Sequence, residues 1–272
     1  MCHYLLEKSR VCNSASGERN YHIFYQLCAG AGGASKAALA LSGPGDFRIL
    51  NQGAMTIDGV DDKKDYDEVV ESLKNVGASQ DKIDTMMELL AGVLHLGNVE
   101  FVVDSEENAD IKPESMKGPL KHAMKLLQCD VLDSKLTTRV VKAKGRNSVY
   151  TVPLKLNEAN EARDALCKAV YDNLFAYLIT LCNEMLEAKD ETDNFIGILD
   201  IFGFEIFKIN SFEQLCINYA NEKLQSLFNH TVFVAEQENY KKEGINCQYI
   251  EFQNNQPCVD MIEKKVRERV VF

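Results

Sequence analysis

The sequence predicts an α/β chain, mainly helical, with a few strands of an incomplete mixed sheet. Three observations carry that expectation. Phe195 to Phe202 (FIGILDIF) is an apolar, β-branched run between polar stretches, the pattern of a strand covered on both faces. Glu158 to Leu186 keeps apolar residues at 162, 165, 166, 169, 170, 174, 177, 178, 181 and 185, the three-to-four spacing of one helix face. Ser211-Phe212-Glu213-Gln214 reads as a capping box opening a second long helix that can run to Glu243, where Gly244 offers a left-handed stop. At 1.5 Å per residue that helix is on the order of 50 Å long.

The remaining elements follow in chain order. Tyr4 to Val11 (YLLEKSRV) is read as a strand, although an apolar pair followed by charges alternates poorly, and Glu18 to Leu27 suits a helix. Its continuation AGAGGASK has no G-K-[ST] ending and follows a helix, so it reads as a connecting loop and not a phosphate loop. Asp67 to Val76 and Gln80 to Leu96 read as helices closed by Gly77 and Gly97, with Ser79 as an N-cap. Val99 to Val103 is a short strand, and the acidic, proline-containing DSEENADIKPESMKG after it is a surface loop. RVVKAKGRNSVYTV reads as two extended arms around a Gly-Arg-Asn turn.

Composition narrows the function classes. With 272 residues, 46% of them hydrophobic, the chain can bury a sizeable core as one large or two small domains. Nine cysteines, an odd number with no C-x-x-C pair, suit buried thiols in a reducing compartment, so an intracellular location is expected. No apolar run approaches the roughly 18 residues of a membrane span, and Met1 is followed by Cys2, His3 and Tyr4, not by a signal sequence. A formal net charge of -11 disfavours nucleic-acid binding. Against that charge, Lys135, Arg139, Lys142, Lys144, Arg146 and Lys155, with no acid from Ser134 to Asn157, form a concentrated positive patch. It reads either as a solvated hairpin or as a docking site for an acidic partner.

The chemistry concentrates where the apolar run ends. Asp200, Gly203 and Glu205 sit at the end of the expected strand and just before the capped helix, the place where ligands bind in open α/β sheets. Gly203 lacks a Cβ, so its amide can approach an anion or its turn can swing. Asp200 can hold a magnesium ion through water, and Glu205 needs a cationic partner. On pattern alone D-x-x-G-x-E is short, and a structural turn is the better reading.

LDIFGFE followed by NSFEQLCINYANEKLQSLFNH and EQENYKKEGI resembles the switch II segment and relay helix of the myosin motor domain. YLLEKSRV with GERNYHIFYQL, then LAGVLHLGNVEF, LTTRVVKAKG and ARDALCKAVYDNLFAYL agree in the same order, so the resemblance covers roughly His3 to Lys264. It implies part of a P-loop NTPase-type motor head, with residues 1–194 similar to the upper 50 kDa region and 195–272 to switch II, the relay helix and the start of the lower 50 kDa region. The function implied is an actin-activated Mg-ATPase of the cytoplasmic actin cytoskeleton, with ATP and magnesium as ligands and actin filaments as partner. By the resemblance, Asp200 supports the magnesium water shell, Gly203 gives its amide to the γ-phosphate, and Glu205 pairs with a switch I arginine.

The same resemblance sets limits. Neither G-x-x-x-x-G-K-[ST] nor N-x-N-S-S-R occurs in these residues; both are expected upstream, in the remaining motor segments of a parent chain. The chain alone is therefore expected neither to hydrolyse ATP nor to fold robustly, and light chains would bind only through regions beyond it. VRERVVF departs from the family pattern, and Cys247 and Gln248 stand where many myosins carry a relay-loop tryptophan. The basic hairpin matches the actin-touching cardiomyopathy loop, which implicates Arg139, Lys142, Lys144, Arg146 and Ser148. Ser148, 16 residues before Asp164, occupies the position of an acid or phosphorylatable residue, and GRNSVY resembles the regulated loops of some class I motors. The alternative is a non-catalytic actin-binding or scaffolding remnant.

Overall fold

Two glycines in the left-handed region end the helices that the sequence delimits most sharply. The computed structural model describes residues 1–4, 6–14, 17–142, 149–186, 196–208, 210–248 and 250–264. The chain divides into two compact units, Met1–Asp190 and Glu191–Phe272.

The first unit is helical around one core. A 3₁₀ turn at Lys8–Val11 is followed by helices α1 (His22–Gly30) and α2 (Gly33–Ala38), a 3₁₀ turn at Pro44–Asp46, and helices α3 (Asp62–Asn75) and α4 (Gln80–Gly97). Next come β1 (Phe101–Val103), β2 (Ala109–Ile111), α5 (Pro113–Lys117), α6 (Pro119–Leu126), α7 (Leu132–Thr137), β3 (Thr138–Lys142), β4 (Val149–Pro153) and α8 (Leu156–Leu186). Strands β1 and β2 form one antiparallel pair and β3 and β4 another.

Local chemistry explains the boundaries. The Ser79 hydroxyl accepts from the Lys82 N–H at 3.4 Å, the expected N-cap of α4. At the end of α3, Gly77 has φ +81°, its N–H donates to Lys74 O at 2.9 Å, and Ala78 N–H donates to Leu73 O at 3.0 Å. That is a Schellman motif, and only the left-handed residue closes it without a Cβ clash. Gly97, in contrast, is the last residue of α4 and is not left-handed; Asn98 caps the helix.

Several expectations are corrected. The described residues from Tyr4 to Val11 form no strand; Lys8–Val11 is a 3₁₀ turn, in keeping with the segment's poor alternation. AGAGGASK is mostly helix, since α1 runs through Gly30 and α2 begins at Gly33. Part of DSEENADIKPESMKG is ordered as β2 and α5, because Phe101–Val103 needs a strand to bond and Pro113 is pre-set for a first helical turn. The hairpin arms pair as expected, Arg139 opposite Val152 and Val141 opposite Tyr150.

The core is built on α1 and α4. Phe24, Tyr25 and Leu27 of α1 and Ala91, Val93, Leu94 and Leu96 of α4 are fully buried. The buried stripe of α8 is Ala159, Arg163, Cys167 and Tyr171, at steps of four, continued by Leu181. Leu181 belongs to the apolar face counted from sequence; Ala159, Arg163, Cys167 and Tyr171 lie beside that face and were not in the count. Arg163 gives Nη1 to Val99 O at 2.7 Å and Nε to Asp164 Oδ1 at 2.8 Å; Arg48 Nη2 reaches the same oxygen at 2.6 Å and its Nε donates to Gly97 O at 2.7 Å. By length and apolar content α8 also matches a membrane-crossing helix, contrary to the expectation that no segment would. Part of that apolarity is used in packing, since Leu166, Val170, Leu174 and Leu178 lie against the core.

Two predictions follow from this packing. Asp164→Ala leaves the buried Arg163 guanidinium without its carboxylate and lowers unfolding stability by about 3 kcal/mol in urea titration. His95, buried on α4, donates Nε2–H to Leu39 O at 2.9 Å, and burial first, then His122, pushes its pKa below 6.5. A folded-state value below the unfolded one means that stability is full above pH 6.5 and is lost as pH falls through 6.5 toward the lower folded value. Melting temperature measured across that window drops, and His95→Asn flattens the drop.

Candidate functional site

The second unit holds the residues in which the chemistry was expected. Its elements are α9 (Phe212–Phe228), a π-helical segment (Asn229–Ala235), α10 (Glu236–Lys242) and α11 (Gln256–Glu263). The expected rod is therefore present from 212 to 242, but it is interrupted by seven π-helical residues. Its end is as expected: Gly244 has φ +71°, and Ile245 N–H donates to Tyr240 O at 2.9 Å. Its start is the expected capping box, with Ser211 N–H donating to Gln214 Oε1 at 2.9 Å.

The strand expected before it is not formed. Residues 196–207 are irregular, and Ile196 and Ile198 are 98% and 97% exposed. An extended run becomes a strand only when a neighbour answers its N–H and C=O groups, and no ladder partner for it exists among the described residues. Side-chain amides answer some of them instead. Glu205 N–H donates to Asn218 Oδ1 at 2.7 Å, and Asn218 Nδ2 returns a bond to Glu205 O at 2.8 Å. One helical turn on, Asn221 Nδ2 donates to Phe202 O at 2.9 Å and to Ile217 O at 2.9 Å. Two asparagines on one face of α9 thus grip the main chain on either side of Gly203.

Of the three expected site residues, Gly203 and Glu205 lie within this grip and Asp200 lies just before it. Asp200 is exposed. Gly203 is exposed, and a Cβ added there would meet nothing within 4 Å, so packing in this unit does not require a glycine. Glu205 is half-buried, and its Oε2 is buried with no hydrogen-bond partner. Among the described residues no group of three or more His, Cys, Asp or Glu side chains could hold a metal ion. A single carboxylate does not make a magnesium site, so these residues do not by themselves fit the metal or a nucleotide bound through it.

Sequence reading passed over Asn218 and Asn221. The signal was available: asparagine is a weak helix former, and two of them three residues apart inside a capped helix need another reason to be there. Further along, Asn229 is buried and its Nδ2 reaches Gln253 O at 3.2 Å, while Lys223 Nζ lies 2.9 Å from Glu263 Oε1, so α11 and the chain before it fold back along α9.

The basic hairpin belongs to the first unit. Arg139 pairs with Glu158 at 3.4 Å, just past the acid-free stretch. Lys155 is also engaged, its Nζ donating to Glu107 O at 3.0 Å and Asn108 Oδ1 at 3.2 Å. Among the described residues, Arg139 is thus answered by a carboxylate and Lys155 is hydrogen-bonded to neutral groups. The side chain of Lys142 and residues Lys144, Arg146 and Ser148 lie outside the described residues.

Comparison with known proteins identifies the family. The myosin head (motor domain) family model matches residues 1–269. The chain is 45% identical over 266 residues to myosin-I heavy chain of Dictyostelium discoideum, covering 96% of this chain and 11% of that protein. It is 42% identical over 271 residues to myosin IB heavy chain of the same organism, covering 96% and 24%. It is 39% identical over 298 residues to unconventional myosin-VI of Homo sapiens, covering 97% and 23%. The chain belongs to the myosin head family, and it spans between about a tenth and a quarter of the length of these relatives.

The asparagine grip is open to a direct check. Asn218→Ala removes both bonds to Glu205, which weakens the local structure by about 1–2 kcal/mol, roughly tenfold in opening. Hydrogen exchange of the Glu205 amide accelerates accordingly, whereas the amides of α4 keep their rates.

Proposed function

We propose that this chain is the switch II and relay portion of an actin-based myosin motor, with residues 1–194 as the upper 50 kDa-like region and 195–272 as switch II, the relay helix and the start of the lower 50 kDa-like region. The observation that carries the reading is the Glu205 carboxylate, buried on one oxygen without a partner, on a segment whose main chain is held by a long helix. A carboxylate so placed calls for a cation from outside the segment, which fits pairing with a switch I arginine when a nucleotide site closes. Gly203, open to solvent and flanked by the two gripped carbonyls, fits an amide offered to a γ-phosphate.

Movement of such a segment reaches α9 through two short side chains, not through a flexible loop. That is the physical basis for reading the unit as a relay: a displacement at Phe202 or Glu205 is a displacement of Asn221 or Asn218. Asp200 belongs to the magnesium water shell only in company with a phosphate loop, which these residues do not contain. ATP turnover, engagement of actin filaments through Arg139, Lys142, Lys144, Arg146 and Ser148, phosphorylation of Ser148 and residence on the cytoplasmic actin cytoskeleton are all properties of the assembled motor in this reading.

The isolated chain is expected to show no ATP hydrolysis. In a complete motor carrying this sequence, Glu205→Ala lowers actin-activated turnover by roughly a hundredfold, the scale of losing one preorganised charge contact. Steady-state phosphate release with and without filaments measures both. Unchanged turnover in Glu205→Ala defeats the assignment, and filament co-sedimentation of the isolated chain without nucleotide response would favour the scaffolding remnant instead.

A further inference from the structure

The first unit contains two thiols that the motor reading does not use. Cys12 closes the 3₁₀ turn at Lys8–Val11, and Cys167 stands on α8; both are 0% exposed. The Cys12 thiol donates to Asp164 O at 3.4 Å, and the Cys167 thiol donates to Val93 O at 3.8 Å. In a helix the side chain at one position lies over the carbonyl three or four residues earlier, so the oxygen that Cys12 touches is the one beside Cys167. Cys12 thus lies against the helical turn that carries Cys167, at the junction of the 3₁₀ turn with α8, and each thiol interacts with the other.

The pair is chemically unequal. Interaction with Cys167 pushes the Cys12 thiol down, against its burial and the Asp164 carboxylate, with Lys168 and Arg48 adding in the lowering sense. That contact and burial hold the Cys167 thiol well up, Arg163 opposing. The thiolate is the reactive form, so Cys12 is the attacking member and Cys167 the resolving one.

We propose that Cys12 and Cys167 are an oxidative modification site that closes into an intrachain disulfide when the chain meets hydrogen peroxide. The Cys12 thiolate attacks one peroxide oxygen, the O–O bond breaks, and the departing hydroxide takes up the proton that Cys12 lost, forming water. Cys12 is left as a sulfenic acid. The Cys167 sulfur then attacks the Cys12 sulfur, the S–O bond breaks, and the hydroxyl leaves with the Cys167 proton as a second water. Peroxide gains two electrons and the thiol pair loses two.

Access comes through the short turn. Lys8–Val11 is four residues long, lacks a side-chain N-cap bond, and its Lys8 is tied to Asp172 of α8 by an ion pair at 2.8 Å with half of Lys8 exposed. Peroxide reaches Cys12 when that turn opens, which takes Val11 and Cys12 out of the core and breaks the bonds from Asn20 Nδ2 to Val11 O and from Gln52 Nε2 to Cys12 O. Re-closure returns Cys12 to Cys167, and the bond formed then staples the N-terminal segment to α8 across 155 residues of sequence.

The test uses the full chain with Cys2, Cys247 and Cys258, the exposed thiols, replaced by serine. After hydrogen peroxide treatment without denaturant and alkylation with N-ethylmaleimide, non-reducing peptide mapping is expected to show Cys12 joined to Cys167, lighter by two hydrogens and cleaved by dithiothreitol. The melting temperature rises in the oxidised sample. In Cys167→Ala the Cys12 sulfenic acid persists and is trapped by dimedone, which keeps the inference testable should Cys12 variants fail to fold. Recovery of both residues as maleimide adducts while Cys129, Cys182 or Cys216 has oxidised overturns it. So does a link that forms only in urea, or one that joins Cys12 to another cysteine.

Discussion

An extended main chain must find partners for its N–H and C=O groups, and in residues 196–208 two asparagine side chains supply them. The Asn218 amide makes both bonds to Glu205 that a neighbouring strand would otherwise make, and Asn221 takes the carbonyl of Phe202. This constraint orders the second unit: the segment around Gly203 has its position because α9 gives it one. The capping box at Ser211 then fixes where α9 begins, only six residues after Glu205. Sequence, local structure and proposed function meet in those few bonds. A side chain of fixed length converts the place of a peptide group into the place of a helix.

The first unit has a different keystone. The Asp164 carboxylate takes bonds from Arg163 and Arg48, and the two guanidinium groups in turn satisfy the carbonyls of Val99 and Gly97 at the end of α4. Helix α8, the end of α4 and the chain after Pro44–Asp46 are thereby joined at one oxygen. An arginine is suited to this because its planar fork can serve a carboxylate and a carbonyl together. Taking Asp164 away leaves a buried cation, which is why one residue has such reach.

What the sequence disclosed was whatever depends on near neighbours. Helix α8, the two Schellman glycines at 77 and 244, the Ser79 cap, the Ser211 box and the hairpin of β3 and β4 each rest on chemistry within a few residues, and each is present. What failed were statements about pairing. Tyr4 to Val11 and Phe195 to Phe202 have strand composition, yet a strand is a relation between two segments, and composition reports on only one. The buried face of α8 is wider than the apolar count, because a paired arginine, Arg163, counts as polar in sequence and as core in space. Asp200, Gly203 and Glu205 were visible as a pattern, while the asparagines that hold Phe202 and Glu205 were visible only as a weak anomaly inside a helix.

The π-helical segment at Asn229–Ala235 has a geometric result of its own. With bonds spanning five residues instead of four, each residue winds less far around the axis than in an α-helix. Helix α10 is therefore out of phase with a straight continuation of α9. Rewinding those seven residues to α geometry would turn Tyr240 and the glycine stop about the axis like the head of a screw.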